Sequence, residues 1–441
     1  MKILLINPVI IKRDFNWVSN LEPLGLEYLA AMLLPEHEVE ILDGLPAGLS
    51  YDEILNTIKN FQPQVIGISV GYSIGIKTAK DVADLIKKKF PDILIVLGGN
   101  AATFTAEYLL KHPSIDIIVL GEGEITFKEL IEKWEVGSGK WELLTGIPGL
   151  CYKTSDGKIK FTPKRALIDN LDVLPFPVHS ILKNKIQYER TVLAGRGCPH
   201  NCIYCSTAAF FKKHRKRSVE SIIKEIEYLF NPDLSYGTNR VVFIDDNFTV
   251  DKNRIKNLAD KLLNLKEKLN LADKILWEGT GHIEHITEDL LITMKTSGCT
   301  GIFFGIESGS EKMLKFLKRK YTPDDVIKVT TLCKKTGIQP ITLFMVGLPY
   351  ETKEDMEQTF SLIEKVPGNT GINIFTAFPG TPVFNNPKKY GLTILPHLPE
   401  EDNLNQNSYV CNEYYNTDEI MKAYYKALGL CIRKGKKFAW R

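Results

Sequence analysis

Cys198-Pro199-His200-Asn201-Cys202-Ile203-Tyr204-Cys205 is the stretch on which the reading of this chain turns. Three thiols at these intervals on one loop can converge on a single metal centre. Iron–sulfur cubes take thiolate ligands, usually four of them, and three would leave one iron open to a substrate or cofactor. The plain alternative is a structural zinc site completed by His200 or His214. Zinc knuckles, however, usually pair C-x-x-C units and do not open a long series of strands and helices. The other cysteines, Cys151, Cys299, Cys333, Cys411 and Cys431, are scattered, and the last four lie in or beside apolar patterns that read as core. A chain of 441 residues gains little from a disulfide framework, so clustered thiols suit a reducing compartment and a metal.

The loop directly follows an apolar run, Arg190–Ala194, that reads as a strand. Further strands are expected at Val241–Asp245, Ile275–Glu278, Gly301–Ile306, Ile341–Val346 and Ile372–Phe375. Runs of helical length fill the intervals, at Val219–Leu229, Arg254–Leu265, Glu288–Ser297, Pro323–Thr336 and Lys353–Val366. Strands that alternate with helices pair in parallel. Six such units are too few for the usual eight-fold barrel, so residues 187–385 read as a partial, open (β/α)6 barrel.

Upstream the alternation recurs. Strands at Ile3–Asn7, Val39–Asp43, Val65–Val70, Ile93–Leu97 and Ile117–Leu120 are separated by helix patterns at Pro23–Leu34, Tyr51–Asn60, Ile76–Phe90, Phe104–Lys111 and Ile125–Trp134. This predicts an α/β, doubly wound, Rossmann-like domain over residues 1–140. Its post-strand loops are rich in Gly, Ser and Asn: Ser69-Val70-Gly71-Tyr72-Ser73, Gly98-Gly99-Asn100-Ala101-Ala102-Thr103 and Gly121-Glu122-Gly123-Glu124. Ligands of open α/β sheets bind where such loops gather, and glycine lets a backbone approach a ligand closely. Residues 141–186 read as a linker with some structure, in which Leu150–Lys153 and Lys158–Phe161 flank Ser155-Asp156-Gly157 as a hairpin. Within it Leu174-Pro175-Phe176-Pro177 reads as an extended connector. Residues 386–441 form a small, mostly helical C-terminal region, ending in Arg433-Lys434-Gly435-Lys436-Lys437, that is expected to shape the substrate mouth.

Lysine and arginine total 56 against 53 acidic residues, a net charge of +3, which gives no support for polyanion binding by the chain as a whole. The basic run Lys212-Lys213-His214-Arg215-Lys216-Arg217 reads as a solvated loop before it reads as a nucleic-acid contact. At 44% apolar and 25% charged the composition is that of an ordinary folded protein. No apolar run approaches the roughly 18 residues of a bilayer span. The opening MKILLINPVIIKRDFNW lacks a signal-peptide pattern, so the expectation is a cytoplasmic enzyme with no membrane partner.

The cysteine loop resembles the CxxxCxxC signature of the radical SAM enzymes, including the aromatic Tyr204 just before the third cysteine. Further along, Phe243-Ile244-Asp245-Asp246-Asn247-Phe248 and Gly305-Ile306-Glu307-Ser308-Gly309-Ser310 resemble the second- and fourth-strand motifs of one large branch of that family. Phe344-Met345-Val346-Gly347-Leu348-Pro349 and Phe378-Pro379-Gly380-Thr381-Pro382 resemble its fifth- and sixth-strand ends. One such string alone is weak evidence; five in register over about 185 residues are strong, and the zinc reading recedes. The resemblance implies that Cys198, Cys202 and Cys205 ligate a 4Fe–4S cluster whose fourth iron is chelated by S-adenosylmethionine. One electron, from a flavodoxin- or ferredoxin-type donor, would then release a 5′-deoxyadenosyl radical, the barrel supplying position and water exclusion. By the same resemblance the Tyr204 backbone contacts adenine, Glu307 and Ser308 lie near the methionine and ribose ends, and Asp245 or Asp246 lies near the amino group. Read alone, Glu307 is an acid favoured by a helix N-terminus. Many relatives carry Thr-Arg where this chain has Thr280-Gly281-His282. His282 is either a surface or core histidine or, at a strand end facing the barrel mouth, a proton shuttle or substrate contact.

Asn7-Pro8, Pro23-Leu24-Gly25-Leu26-Glu27-Tyr28-Leu29-Ala30, Gly98-Gly99 and Gly121-Glu122-Gly123-Glu124 together resemble the cobalamin-binding domain of cobalamin-dependent radical SAM enzymes. In those enzymes the corrin lies across the loops at the sheet's carboxyl edge. No cysteine precedes Cys151, so the additional cluster of the methylthiotransferases is not expected, and no G-x-G-x-x-G opens the first helix, which argues against a dinucleotide. Where other cobalamin enzymes have D-x-H-x-x-G, this chain reads Asp43-Gly44-Leu45-Pro46-Ala47-Gly48. The implied cofactor is base-off cobalamin with no histidine ligand. The implied contacts are Ser69, Gly71, Tyr72, Ser73, Gly98, Gly99, Thr103, Gly121, Glu122 and Glu124, with Tyr72 either approaching the lower face of cobalt or packing against the domain edge. Relatives often have histidine two residues after the glycine pair, where this chain has Ala102 at or near that place. The expected function is therefore a cobalamin-dependent radical SAM methyltransferase acting on an unactivated carbon, or phosphorus, of a peptide, amino acid or secondary metabolite. A cyclisation or rearrangement with the same cofactors shares every motif. A zinc-stabilised nucleic-acid-binding module is the alternative of another class.

Overall fold

The computed structural model describes residues 1–8, 21–44, 48–73, 75–137, 139–154, 156–179, 182, 189–230, 240–271, 275–399 and 407–434. The chain divides into two compact units, residues 1–188 and 189–440.

The strands of the first unit are β1 (Lys2–Asn7), β2 (Glu38–Asp43), β3 (Val65–Ser69), β4 (Leu94–Gly98), β5 (Ile117–Val119), β6 (Leu150–Lys153) and β7 (Ile159–Phe161). They form one sheet in the order β2-β1-β3-β4-β5-β6-β7, and β1 to β5 are parallel. Strand order reverses between β1 and β3, the kind of switch point at which an open sheet leaves a crevice beyond its carboxyl ends. The inner strands β1, β3, β4 and β5 are apolar on both sides because helices cover both sides. Leu4, Ile6, Ile66, Ile68 and Leu97 pack with Ile54, Ile58, Ile76 and Val82 on one face. Ile3, Leu5, Val65 and Val96 pack with Leu26, Leu33, Phe127 and Leu130 on the other. This is the expected doubly wound α/β layering, and a capping box between Ser50 and Glu53 starts one of its helices, Tyr51–Phe61.

Two expectations change. The hairpin pairs antiparallel with β5 through β6, so residues 150–161 are the edge of the first sheet and not part of a linker. A bare β5 edge would present unpaired backbone groups, and the hairpin covers it. The expected helix Phe104–Lys111 is instead two short helices, Asn100–Phe104 and Ala106–Leu110. They meet at Thr105, whose hydroxyl donates back to the Ala101 carbonyl. Ser155, the stretch Leu45-Pro46-Ala47, most of residues 180–188 and Gly435-Lys436-Lys437, all read above, lie outside the described residues.

The second unit contains β8 (Arg190–Val192), β9 (Arg240–Phe243), β10 (Leu276–Gly281), β11 (Cys299–Glu307), β12 (Gln339–Val346) and β13 (Asn369–Ile374). Every neighbouring pair in the order β13-β12-β11-β10-β9-β8 is parallel. Among the described residues no pairing joins β8 to β13, which makes this an open six-stranded partial barrel. Helices Val219–Leu229, Lys252–Lys268, Glu288–Ser297, Pro323–Lys335 and Lys353–Lys365 alternate with the strands, each begun by a side-chain cap from Ser218, Asp251, Thr287, Thr322 or Thr352. The C-terminal helix, Thr417–Lys434, lies against β13 and buries Ile420, Tyr424, Ala427 and Leu430 in the barrel core. An antiparallel ribbon, Leu392–Ile394 with Val410–Asn412, precedes it. Among the described residues no helix is long and apolar enough to cross a membrane.

Candidate functional site

Because β1, β3, β4 and β5 run parallel, the loops after them share one edge of the first sheet. Asn7 Nδ2 donates to Asp43 Oδ1 at 2.7 Å and fixes the ends of β1 and β2. Gly99 adopts a φ of +115°, and a Cβ there would meet the Val70 carbonyl oxygen at 2.7 Å, so only glycine lets the loops after β3 and β4 approach this closely. Thr103 Oγ1 accepts from the Gly121 amide at 3.0 Å and donates to the Gly99 carbonyl at 2.8 Å, tying together the loops after β4 and β5. Glu122 is turned inward and accepts from the Ile168 amide at 2.9 Å, while Ser73 and Glu124 are buried. These side chains hold the loops in shape. Ser69 and Gly98 are half-buried, and Tyr72 is 79% exposed. An added Cβ at Gly71 or Gly121 would meet nothing within 4 Å. Among the described residues these loops present the open glycines Gly71 and Gly121 and the exposed ring of Tyr72, which suits a broad, flat ligand such as a corrin.

In the second unit β8 runs into the cysteine loop, and two aspartates after β9 hold that loop from beneath. Asp245 Oδ1 accepts from the Ala194 amide at 2.7 Å, and Asp246 Oδ2 accepts from the Gly197 amide at 2.9 Å. Burial pushes the Asp245 carboxyl up to about 7 against the pull of the Ala194 amide. At 3% exposure, Asp245 spends its Oδ1 on the backbone of the segment that leads into the cysteine loop. The thiols of Cys198, Cys202 and Cys205 are half-buried and free of disulfides, and Asn247 Nδ2 lies 3.9 Å from Cys198 Sγ as a donor. Burial raises all three thiols, a state that a metal reverses by taking them as thiolates. Three thiol donors on one pinned loop fit an iron–sulfur cluster.

Glu307, at the end of β11, adopts a φ of +74°, uncommon for any residue but glycine, where the register with β12 slips between Gly305 and Glu307. Its Oε1 accepts from Arg319 Nη2 at 2.9 Å. Burial raises the Glu307 carboxyl, while Arg319 and the Tyr204 hydroxyl pull it down. The same Nη2 donates to the Tyr204 hydroxyl at 2.9 Å, and Nη1 donates to His282 Nε2 at 2.7 Å. His282 is 5% exposed, and burial, followed by Arg319, holds its imidazole down to about 2. It stacks on His200 at a ring distance of 4.2 Å, with His285 at 5.3 Å. His200, one of the residues a zinc site would need beside the cysteines, thus turns its ring face to His282.

Ser308 is fully buried, its Oγ 3.2 Å from Thr359 Oγ1 and accepting from the Ser310 amide at 3.2 Å. It sits in a network of hydroxyls with Thr359 and Ser310. Sequence reasoning missed Arg319, which joins Tyr204, Glu307 and His282, and it missed His285. Arg319 lies in the charged string Lys315–Lys320, where nothing marks one cation as buried. The interval of His282 and His285 was a usable signal, because the 3-10 turn at Ile283–His285 brings side chains three apart onto one side.

The comparisons with known proteins divide the chain in the same way. The Radical SAM superfamily profile matches residues 192–363, and the B12 binding domain profile matches residues 16–131. An uncharacterized methyltransferase of Pyrococcus horikoshii is 36% identical over 392 residues, covering 86% of this chain and 82% of the relative. Cytidylyl-2-hydroxyethylphosphonate methyltransferase of Streptomyces wedmorensis is 27% identical, covering 86% and 79%. The solved structure of the radical S-adenosylmethionine methyltransferase TsrM of Kitasatospora setae, with cobalamin and a 4Fe–4S cluster bound, matches with a TM-score of 0.72 at 20% identity, covering 89% of this chain and 80% of that one, a likeness of fold.

Proposed function

The chain belongs to the radical SAM enzymes that carry a B12-binding domain, and on that premise we propose that it is a cobalamin-dependent methyltransferase acting on an unactivated carbon, or phosphorus, of a small molecule or peptide. The observation that carries this reading is the presence in one chain of a glycine-lined strand edge and a thiol loop pinned by Asp245 and Asp246. The methyltransferase named at 36% identity supports it. When bound, the cluster and S-adenosylmethionine supply a carbon radical that abstracts hydrogen, and cobalamin carries the methyl group. Cys198, Cys202 and Cys205 would hold the cluster. Glu307, held by its ion pair with Arg319, would meet the methionine end of S-adenosylmethionine, and the Tyr204 backbone would meet adenine. Gly71, Gly98, Gly99 and Gly121 would let a base-off corrin lie on backbone, with Tyr72 toward its lower face and no histidine ligand. A flavodoxin- or ferredoxin-type protein would deliver the electron. The balanced charge favours a peptide, amino acid or other small acceptor over a nucleic acid.

The test is anaerobic reconstitution with iron, sulfide and hydroxocobalamin, followed by incubation with S-adenosylmethionine, reduced flavodoxin and candidate peptide, amino-acid and phosphonate acceptors. About four irons per chain with bound cobalamin, S-adenosylhomocysteine, and an acceptor heavier by one methyl group are the expected results. 5′-Deoxyadenosine without that mass gain would favour cyclisation, the reaction for which the 27% identical anaerobic magnesium-protoporphyrin IX monomethyl ester cyclase of Rubrivivax gelatinosus is named.

A further inference from the structure

Three histidines share a corner of the second unit. His200 lies between two of the loop cysteines, and His282 and His285 follow β10. One ring nitrogen of each falls within 4.8 Å of the others. His200 Nε2, His282 Nδ1 and His285 Nδ1 are all buried without a hydrogen-bond partner. On distance alone this is the donor set of a metal site. Arg319 decides against it. A guanidinium only donates hydrogen bonds, and Arg319 Nη1 stands 2.7 Å from His282 Nε2, so Nε2 must present its lone pair. A neutral imidazole with its lone pair on Nε2 carries its proton on Nδ1, and a protonated nitrogen cannot ligate a metal. Metal-ligating histidines show the opposite arrangement, in which the second ring nitrogen donates to an acceptor.

We propose that Arg319 is the positioning residue of this site, fixing His282 as the neutral Nδ1–H tautomer while the same guanidinium holds the Tyr204 hydroxyl and the Glu307 carboxylate in place. Its three partners come from three separate segments: the cysteine loop, the end of β10 and the end of β11. The chain builds Arg319 into position by a tight turn. After the helix Glu311–Phe316, Lys318 adopts a φ of +61° and the Arg319 amide donates to the Leu314 carbonyl at 2.8 Å. The side chain that results is 8% exposed, and its Nε is buried with no partner. The pairing also steadies Glu307 in its uncommon backbone conformation, the kind of local strain that persists only when its surroundings over-determine it. A lysine has three donors but on one nitrogen, and so cannot reproduce the separated Nη1 and Nη2 that reach His282 on one side and Tyr204 and Glu307 on the other. His282 is thereby a fixed hydrogen-bond donor, and any ligand group that reads it must be an acceptor.

The experiment labels the histidines of the full-length chain with 15N and records ring nitrogen–proton correlations near neutral pH, with the His282 signals assigned by their loss in His282→Gln. The expected wild-type pattern is a single tautomer, Nδ1 protonated and Nε2 unprotonated. In Arg319→Met the His282 pattern should shift to a tautomer mixture. Affinity for S-adenosylmethionine, by equilibrium dialysis of the reconstituted protein, should fall about tenfold in Arg319→Met and less in Arg319→Lys. A wild-type His282 protonated on Nε2, or already averaging between tautomers, overturns the proposal even if Arg319→Met fails to fold. A tautomer change with affinity unchanged within about twofold overturns the positioning role as well. The affinity arm rests on the cofactor reading above and the spectrum does not. A wild-type protein that binds no S-adenosylmethionine would refute that reading and leave the spectrum to decide the tautomer.

Discussion

At the carboxyl ends of its strands the first unit places Gly71, Gly99 and Gly121 beside the exposed ring of Tyr72, whereas the second places Asp245, His282 and Glu307, each bonded to a neighbour or to the cysteine loop. Both are built on parallel strands, yet one offers backbone and glycine and the other offers polar side chains already paired with neighbours. The first kind of surface selects by shape, so it is sensitive to atoms added. The second selects by fixed polarity, so it is sensitive to atoms removed.

The sharpest way to break this contrast is to replace Cys198, Cys202 and Cys205 by alanine. Iron should fall from about four per chain to near zero, while cobalamin binding, read from the visible spectrum, stays as in the wild type. Joint loss of both would mean that the two surfaces are not separable. Next in size is Asp245→Asn. The folded carboxyl titrates near 7 against an ordinary 3.8, so its contribution to stability is full below about 4 and lost as pH rises through about 7. The variant, uncharged at every pH, should gain on the wild type by up to about 4 kcal/mol between pH 4 and 8, seen in urea unfolding of the second unit. An unchanged pH slope would show that Asp245 ionises freely.

Gly99→Ala probes the other surface. The positive φ and the 2.7 Å approach to the Val70 carbonyl should cost about 2–3 kcal/mol in the first unit and weaken cobalamin binding, with iron content unaltered. Tyr72→Ala is the mildest. At 79% exposure it should change stability by no more than about 0.5 kcal/mol, yet alter the visible spectrum of bound cobalamin if the ring lies under the cobalt.

The alternation of strands and helices was legible because most of the strands are short apolar runs separated by longer amphipathic stretches; the capping residues that begin the helices, Ser50, Thr287, Thr322 and Thr352, show themselves as caps only in the structure. The glycine loops were legible for the same local reason. The partner of the hairpin was not, since pairing with β5 depends on which edge the folded sheet leaves open. Side-chain direction at strand ends was also hidden. The slip between Gly305 and Glu307 turns Glu307 into the site and leaves Ser308 buried with Thr359, and no periodicity in residues 305–310 encodes that slip. Arg319 was hidden most completely, because its burial is created by the three partners it joins and not by its charged neighbours.

The last helix of the barrel, Thr417–Lys434, bears on the order in which this molecule is made. Every described strand of the first unit is translated by residue 161, but the wall of the second lacks a helix until residue 434 has been added. At roughly 5–20 residues per second, domains folding as they emerge would leave an interval of some 14 to 55 seconds. During synthesis the glycine-lined edge of the first unit is therefore complete before the sheet that carries the thiol loop has its last helix, so the two surfaces of this chain come into being one after the other.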